Sequence, residues 1–183
     1  MLIRHADPKR DAAACLAIYS PFVTGSAVSF ENVPPSETEF AERMERYSRT
    51  HAYLVADDGG TIAGFAYASL YRERAAYRWT AETSVYLGAG YRRRGVGTAL
   101  YGQLLALLRA QGIRLALGGV TLPNDASIAL HRHCGFVQIG VFPSVGWKDG
   151  AWRDVAWLAC DLHPAADHGS GPPPEPGPPV RLD

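Results

Sequence analysis

The sequence carries no net charge, since 18 Lys and Arg stand against 18 Asp and Glu. It therefore offers no overall attraction to nucleic acid or to an anionic membrane surface. Cysteine is scarce. Cys15, Cys134 and Cys160 are an odd number without metal-ligand spacing, which argues against a disulfide framework and makes a reducing, cytoplasmic compartment the expectation. The six histidines show no zinc spacing either, so no metal is expected. No apolar run approaches the roughly 20 residues of a membrane helix. The opening Met-Leu-Ile-Arg-His-Ala-Asp reaches charge by its fourth residue, unlike a secretory leader. What the chain does have is 47% hydrophobic and 20% charged residues over 183 positions. That is enough for one domain with a true core.

Proline is unevenly spread. Seven of the 13 prolines fall within residues 164–183, with Gly169, Gly171 and Gly177 between them. Such a segment lacks backbone donors and apolar side chains, and it reads as an extended, disordered tail behind a domain of residues 1–163. Within the domain, Leu2–Arg4 reads as a strand, and Asp7-Pro8 opens a helix to about Tyr19. Ser36-Glu37-Thr38-Glu39 is a capping box that starts a second helix. Strands over 52–56 and 61–70 flank Asp57-Asp58-Gly59-Gly60, a hairpin signal, and a third strand runs over about 77–87. Gly95–Gln111 is the strongest helix, with Gly112 placed to end it. Leu115–Val120 is a strand, 125–134 a helix, and 136–147 and 151–161 two more strands. The order β-α-α-β-β-β-α-β-α-β-β predicts an α/β (α+β) fold, a mixed sheet of about seven strands flanked by about four helices.

The richest stretch joins the strand ending Val85-Tyr86-Leu87 to the strongest helix through Gly88-Ala89-Gly90-Tyr91-Arg92-Arg93-Arg94-Gly95-Val96-Gly97-Thr98. A helix start offers free N–H groups and the positive end of its dipole, which together make an anion site. Arg92, Arg93 and Arg94 add donors suited to phosphate oxygens. No Gly-Lys-Ser/Thr ending is present, and position 93 is arginine where the dinucleotide fingerprint needs glycine. What remains is Arg92-x-x-Gly95-x-Gly97, placed after a strand and before a helix.

That pattern resembles the acyl-CoA pyrophosphate loop of the GNAT acetyltransferases. Longer runs resemble the phosphinothricin and methionine-sulfoximine N-acetyltransferase branch. These are Ser29-Phe30-Glu31-Asn32-Val33-Pro34-Pro35, then 77–86, 119–127 and Leu130-His131-Arg132-His133-Cys134-Gly135-Phe136. The resemblance implies acetyl-CoA as co-substrate, a small amino acid or analogue as acceptor, and a homodimer. Alternatives are a different amine (a polyamine, an aminoglycoside or a protein N-terminus) and a non-catalytic acyl-CoA sensor.

By the resemblance, Glu82 is the general base. An amine is mostly ammonium near neutral pH and must lose a proton before it attacks. The plainer reading is a strand glutamate facing solvent. His131 stands where many relatives carry a tyrosine acid, and it serves as acid, proton relay or packed core histidine. Tyr101 is a third candidate, or a packing residue. Val85, Tyr86 and Leu87 would pair with the pantetheine arm, and the backbone from Arg92 to Thr98 would grip the diphosphate. Asn124 either caps a helix or bonds that arm, and His133 touches the cofactor. For the acceptor, Arg72 and Arg74 either hold a carboxylate or phosphinate or form a solvated charged turn, Phe30 closes the pocket, and Glu31 meets the ammonium. Cys134 reads as a packing residue.

Overall fold

The computed structural model describes residues 1–163 and 173–182. Seven strands form one sheet: β1 (Leu2–His5), β2 (Tyr53–Asp58), β3 (Thr61–Leu70), β4 (Thr80–Leu87), β5 (Leu115–Thr121), β6 (Val137–Lys148) and β7 (Ala151–Asp161). Four helices cover it: α1 (Pro8–Thr24), α2 (Glu37–Ser48), α3 (Val96–Gln111) and α4 (Asp125–His133). The strand order is β1-β2-β3-β4-β5-β7-β6, antiparallel throughout except for the parallel pair β4–β5. The mixed sheet with helices on its faces is the architecture expected.

The helix ends follow local chemistry. The Asp7 side chain accepts from the Lys9 amide to start α1, and Ser36 with Glu39 forms the full capping box of α2. Gly112, at φ 93°, closes α3 in the left-handed conformation that a side chain would resist. Two boundaries move. Helix α1 runs on through Pro21 to Thr24, because Val23 is buried and Phe22 and Tyr19 pack edge-on against Tyr86. Tertiary contact outweighs the local cost of an internal proline. Strand β4 starts only at Thr80, after a short 3₁₀ turn at Ala75–Tyr77.

Alternation along the strands divides the core in two. On one face Ala81, Val85 and Leu87 of β4 join Leu100, Leu104 and Leu108 of α3. On the other, Tyr53, Phe65, Tyr67 and Tyr86 stack among themselves and meet Tyr19 and Phe40 from α1 and α2 edge-on. Arg4 joins β1, α1 and β2 by bonding both Asp11, at 2.7 Å, and Asp57, at 2.9 Å. Asp11 is 2% exposed, and an unpaired carboxylate there would be costly.

Residues 173–182 have neither helix nor strand, as an extended tail should, but they lie against the domain. The Trp79 indole donates to the Pro174 carbonyl at 2.8 Å, and Arg78 pairs with Glu175. The Gly177 amide donates to the Gln111 carbonyl, and Val180 and Leu182 pack on the core. The segment read as an extended, disordered tail over 164–183 thus meets the domain through these contacts over residues 173–182. Composition registers the scarcity of donors but not the few specific bonds that remain. Residues 164–172 and Asp183 lie outside the described residues.

Candidate active site

Strands β4 and β5 pair only at Thr80–Leu115, Ala81–Ala116 and Glu82–Leu117. Beyond that point they splay, and β4 stays paired to β3 on its other side through Leu87. Residues 83–87 therefore turn backbone donors and acceptors toward β5 with no strand partner there among the described residues. An open edge of this kind receives an extended chain by adding to the sheet. The Thr83 hydroxyl donates to the Leu117 carbonyl at 2.9 Å and closes the apex.

A cleft of about 590 Å³ runs from this edge to the start of α3. It brings together Val85, Tyr86, Leu87, Arg92, Arg93, Gly95, Gly97, Thr98 and Asn124 from the sequence candidates. Gly95, at φ 80°, is the N-cap of α3 and supplies no side-chain cap, so the first amides of the helix point outward without an acceptor of their own. Uncapped helix donors beside arginines are the chemistry a diphosphate needs, and these residues fit coenzyme A. The two glycines of the motif serve different ends. A side chain at Gly95 would meet open space but a strained φ, whereas at Gly97 it would stand 3.0 Å from Leu130 of α4. Gly97 thus lets the two helices approach.

Other candidates stand apart from the cleft. Val96 is buried in the core, so only its backbone faces the loop. Arg94 folds back, donating to the Gly90 carbonyl and covering the Tyr91 ring. His133 is exposed near the end of α4, because two residues along a helix turn a side chain well away from His131. Arg72 lies over the Tyr71 ring and Arg74 is exposed in the turn before β4. Glu31 is committed to Arg43 of α2 at 2.6 Å, which leaves it less suited to meet an ammonium. Asn124 both lines the cleft and caps α4, its side chain accepting from the Ser127 amide at 3.1 Å.

The three candidate catalytic groups divide between the two faces of the sheet. Glu82 alternates onto the face of Tyr86, is half-buried, and has its pKa raised by burial alone. Tyr101 and His131 lie on the α3–α4 face, Tyr101 fully buried and His131 4% exposed. Their side chains bond to one another at 2.9 Å. His131 Nδ1 is 2.8 Å from the Ser127 carbonyl, which only accepts, so Nδ1 carries the proton and Nε2 accepts from the Tyr101 hydroxyl. Burial lowers the His131 pKa, against the raising effect of that carbonyl, and keeps the ring neutral. None of the three side chains lines the cleft itself; Glu82 sits at its apex, where β4 and β5 part.

Sequence reasoning missed one wall. Phe22, Gly25, Ser26 and Val28, from the end of α1 and beyond, line the cleft beside β4, with Phe22 packed on Tyr86. Nothing in their local pattern distinguishes them from a helix end and a loop. Pro123, Ser127 and Leu130 complete the other side.

The architecture recurs in known proteins. A model of the acetyltransferase (GNAT) family matches residues 19–136. A phosphinothricin N-acetyltransferase of Alcaligenes faecalis is 42% identical over 84% of this chain and 79% of its own length. An L-methionine sulfoximine/L-methionine sulfone acetyltransferase of Salmonella typhimurium is 32% identical over 91% of this chain and 99% of its own. Among solved structures, a GNAT superfamily phosphinothricin acetyltransferase of Sinorhizobium meliloti in complex with AcCoA aligns with a TM-score of 0.84 and 34% identity. That alignment spans 93% of this chain and 94% of the other.

Proposed function

We propose, from the premise that the chain belongs to the acetyltransferase (GNAT) family, that this enzyme acetylates the α-amine of small amino acid analogues bearing an oxidised sulfur or phosphorus. Phosphinothricin, methionine sulfoximine and methionine sulfone are the preferred acceptors, the compounds named for its relatives. The observation that carries the reading is Glu82. Its carboxylate is half-buried at the apex of the splay, with a pKa raised by desolvation. A base tuned upward in this way holds a proton better than a solvated carboxylate.

Acetyl-CoA supplies an acetyl thioester, whose carbonyl carbon forms the new C–N bond as the C–S bond breaks. The chain's own residues arrange this in a few steps. Amides at the start of α3, with Arg92 and Arg93, hold the diphosphate. The open edge of β4 over Val85–Leu87 pairs with the extended arm and turns N–H groups toward the carbonyl. Glu82 takes the ammonium proton, directly or through water, and frees the amine to attack. The Tyr101–His131 pair, its neutral imidazole oriented by Ser127, ties α3 to α4 behind these strands, and the departing thiolate takes its proton from water in the open cleft. Holding both reactants in one splay supplies much of the rate.

The enzyme acts as a homodimer in this reading. Edge strand β6 and the start of β7 expose Val137, Ile139, Phe142, Val145, Trp147 and Trp152, which a second copy would cover. A reducing, cytoplasmic setting agrees with three free cysteines. No described helix is long and apolar enough to cross a membrane. The test is thiol release from acetyl-CoA with a panel of free amino acids, their sulfone, sulfoximine and phosphinate analogues, polyamines and aminoglycosides. Turnover confined to the analogues supports the reading. Turnover confined to polycations, or acetyl-CoA binding without turnover of any amine, replaces it.

A further inference from the structure

The splay has two arms. One is β4, with α1 packed on it through Tyr19 and Phe22 against Tyr86. The other is β5–β7–β6. Val155 of β7 pairs with Thr121, the last residue of β5, so residues 146–154 project past the end of that strand. Lys148 sits there, at the end of β6, and is only 3% exposed. Its ammonium donates to the Val23 carbonyl at 2.8 Å and to the Glu31 carbonyl at 2.5 Å.

Both acceptors belong to the opposite arm. Val23 lies in the last turn of α1, a helix whose last turn carries no basic residue of its own. The negative end of the helix dipole thus receives its cation from a strand 125 residues later in the chain. The segment between the two carbonyls contains Gly25, Ser26 and Val28 of the cleft wall. On the α1–α2 side it is held by Tyr19 to Ser29 at 2.7 Å and by Glu31 to Arg43. On the β6 side it is held by Lys148 and by Phe30, whose ring lies so close to Gly146 that a Cβ there would fall 2.2 Å from Cε2.

We infer that Lys148 is a positioning residue, a charged strut between the two arms that sets the width of the splay and so the acceptor site beside Glu82. It touches no reacting atom. The backbone donors at the start of α3 are held independently of it, by the αL turn at Gly95 and by the packing of Gly97 on Leu130. Removing the strut should therefore loosen acceptor binding while the grip on coenzyme A persists. This rests on the acceptor reading above.

The experiment is steady-state kinetics of Lys148→Met, with methionine sulfone and acetyl-CoA varied in turn, and calorimetry with coenzyme A alone. The expected result is a rise of roughly tenfold or more in KM for the sulfone, the scale of losing a charge-assisted buried hydrogen bond. Coenzyme A affinity should stay within about twofold. Gly146→Ala is the second variant. It displaces Phe30 while leaving the ammonium in place, and should shift the same KM in the same direction. Equal losses for both substrates, or no change in acceptor KM in either variant, overturn the strut. A wild-type enzyme that acetylates no sulfone, sulfoximine or phosphinate overturns the acceptor reading itself and takes the inference with it.

Discussion

Glu82 stands where the sheet gives it few alternatives. Its backbone is paired on both sides, to Ser69 of β3 and Leu117 of β5, and burial without a charged partner raises its pKa. A carboxyl group with a raised pKa is more at ease protonated, so it contributes stability at low pH that is lost as pH rises through the raised value. Glu82→Gln should then lower turnover by roughly a hundredfold or more, flatten the alkaline rise of the rate, and leave the fold as stable as before or more so at pH 8. An unchanged pH–rate profile removes Glu82 as the base. Gly118 makes a second case. A Cβ there would lie 2.6 Å from His131 Nε2, the atom that accepts from Tyr101. Gly118→Ala should push the imidazole aside and cost about 1–3 kcal/mol through an unsatisfied buried group. Chemical denaturation measures it, and full stability would show that the ring is free to move.

Among the elements, the described part of the carboxy-terminal segment makes its own case. Its contacts gather at the end of the sheet away from the cleft, around Trp79, Gln111 and His5. A chain ending at His163 would expose the apolar surface under Val180 and Leu182 and leave the Trp79 indole to solvent. It should lose about 1–3 kcal/mol of stability and keep its kinetic constants. A large loss of turnover with normal stability would give the segment a part in the site. The elements themselves were largely legible in sequence, because caps such as Asp7, Ser36 and Gly112 act within a few residues. The extent of α1 was not, since a partner on β4 decides whether Pro21 ends the helix.

For the molecule as a whole, acid stability has a defined sign. His51 is pushed down to about 4 by burial, His131 is lowered by burial against the raising bond to Ser127, and His5 by burial and then Arg181. Unfolding returns each to an ordinary value near 6.5, so the unfolded chain binds protons first and stability falls as pH drops below that value. Asp11 adds to the same slope. Burial would raise its pKa, but the Arg4 bond and its other partners hold it below the usual carboxylate range. Denaturation midpoints should therefore decline steadily from pH 7 to pH 4, and a flat or rising profile would contradict the buried, neutral histidines.

The order of the elements, the loop of Arg92, Gly95 and Gly97, and the family itself were written in the chain, because each depends on residues close together or on long recognisable runs. Only tertiary structure decided that β4 and β5 part after Glu82, that Tyr101 and His131 share a buried bond on the opposite face, and that Lys148 meets carbonyls more than a hundred residues away. The reason is distance along the chain. Caps and periodicities are set by neighbours, while a splay, a buried pair and a strut exist only once remote segments have packed.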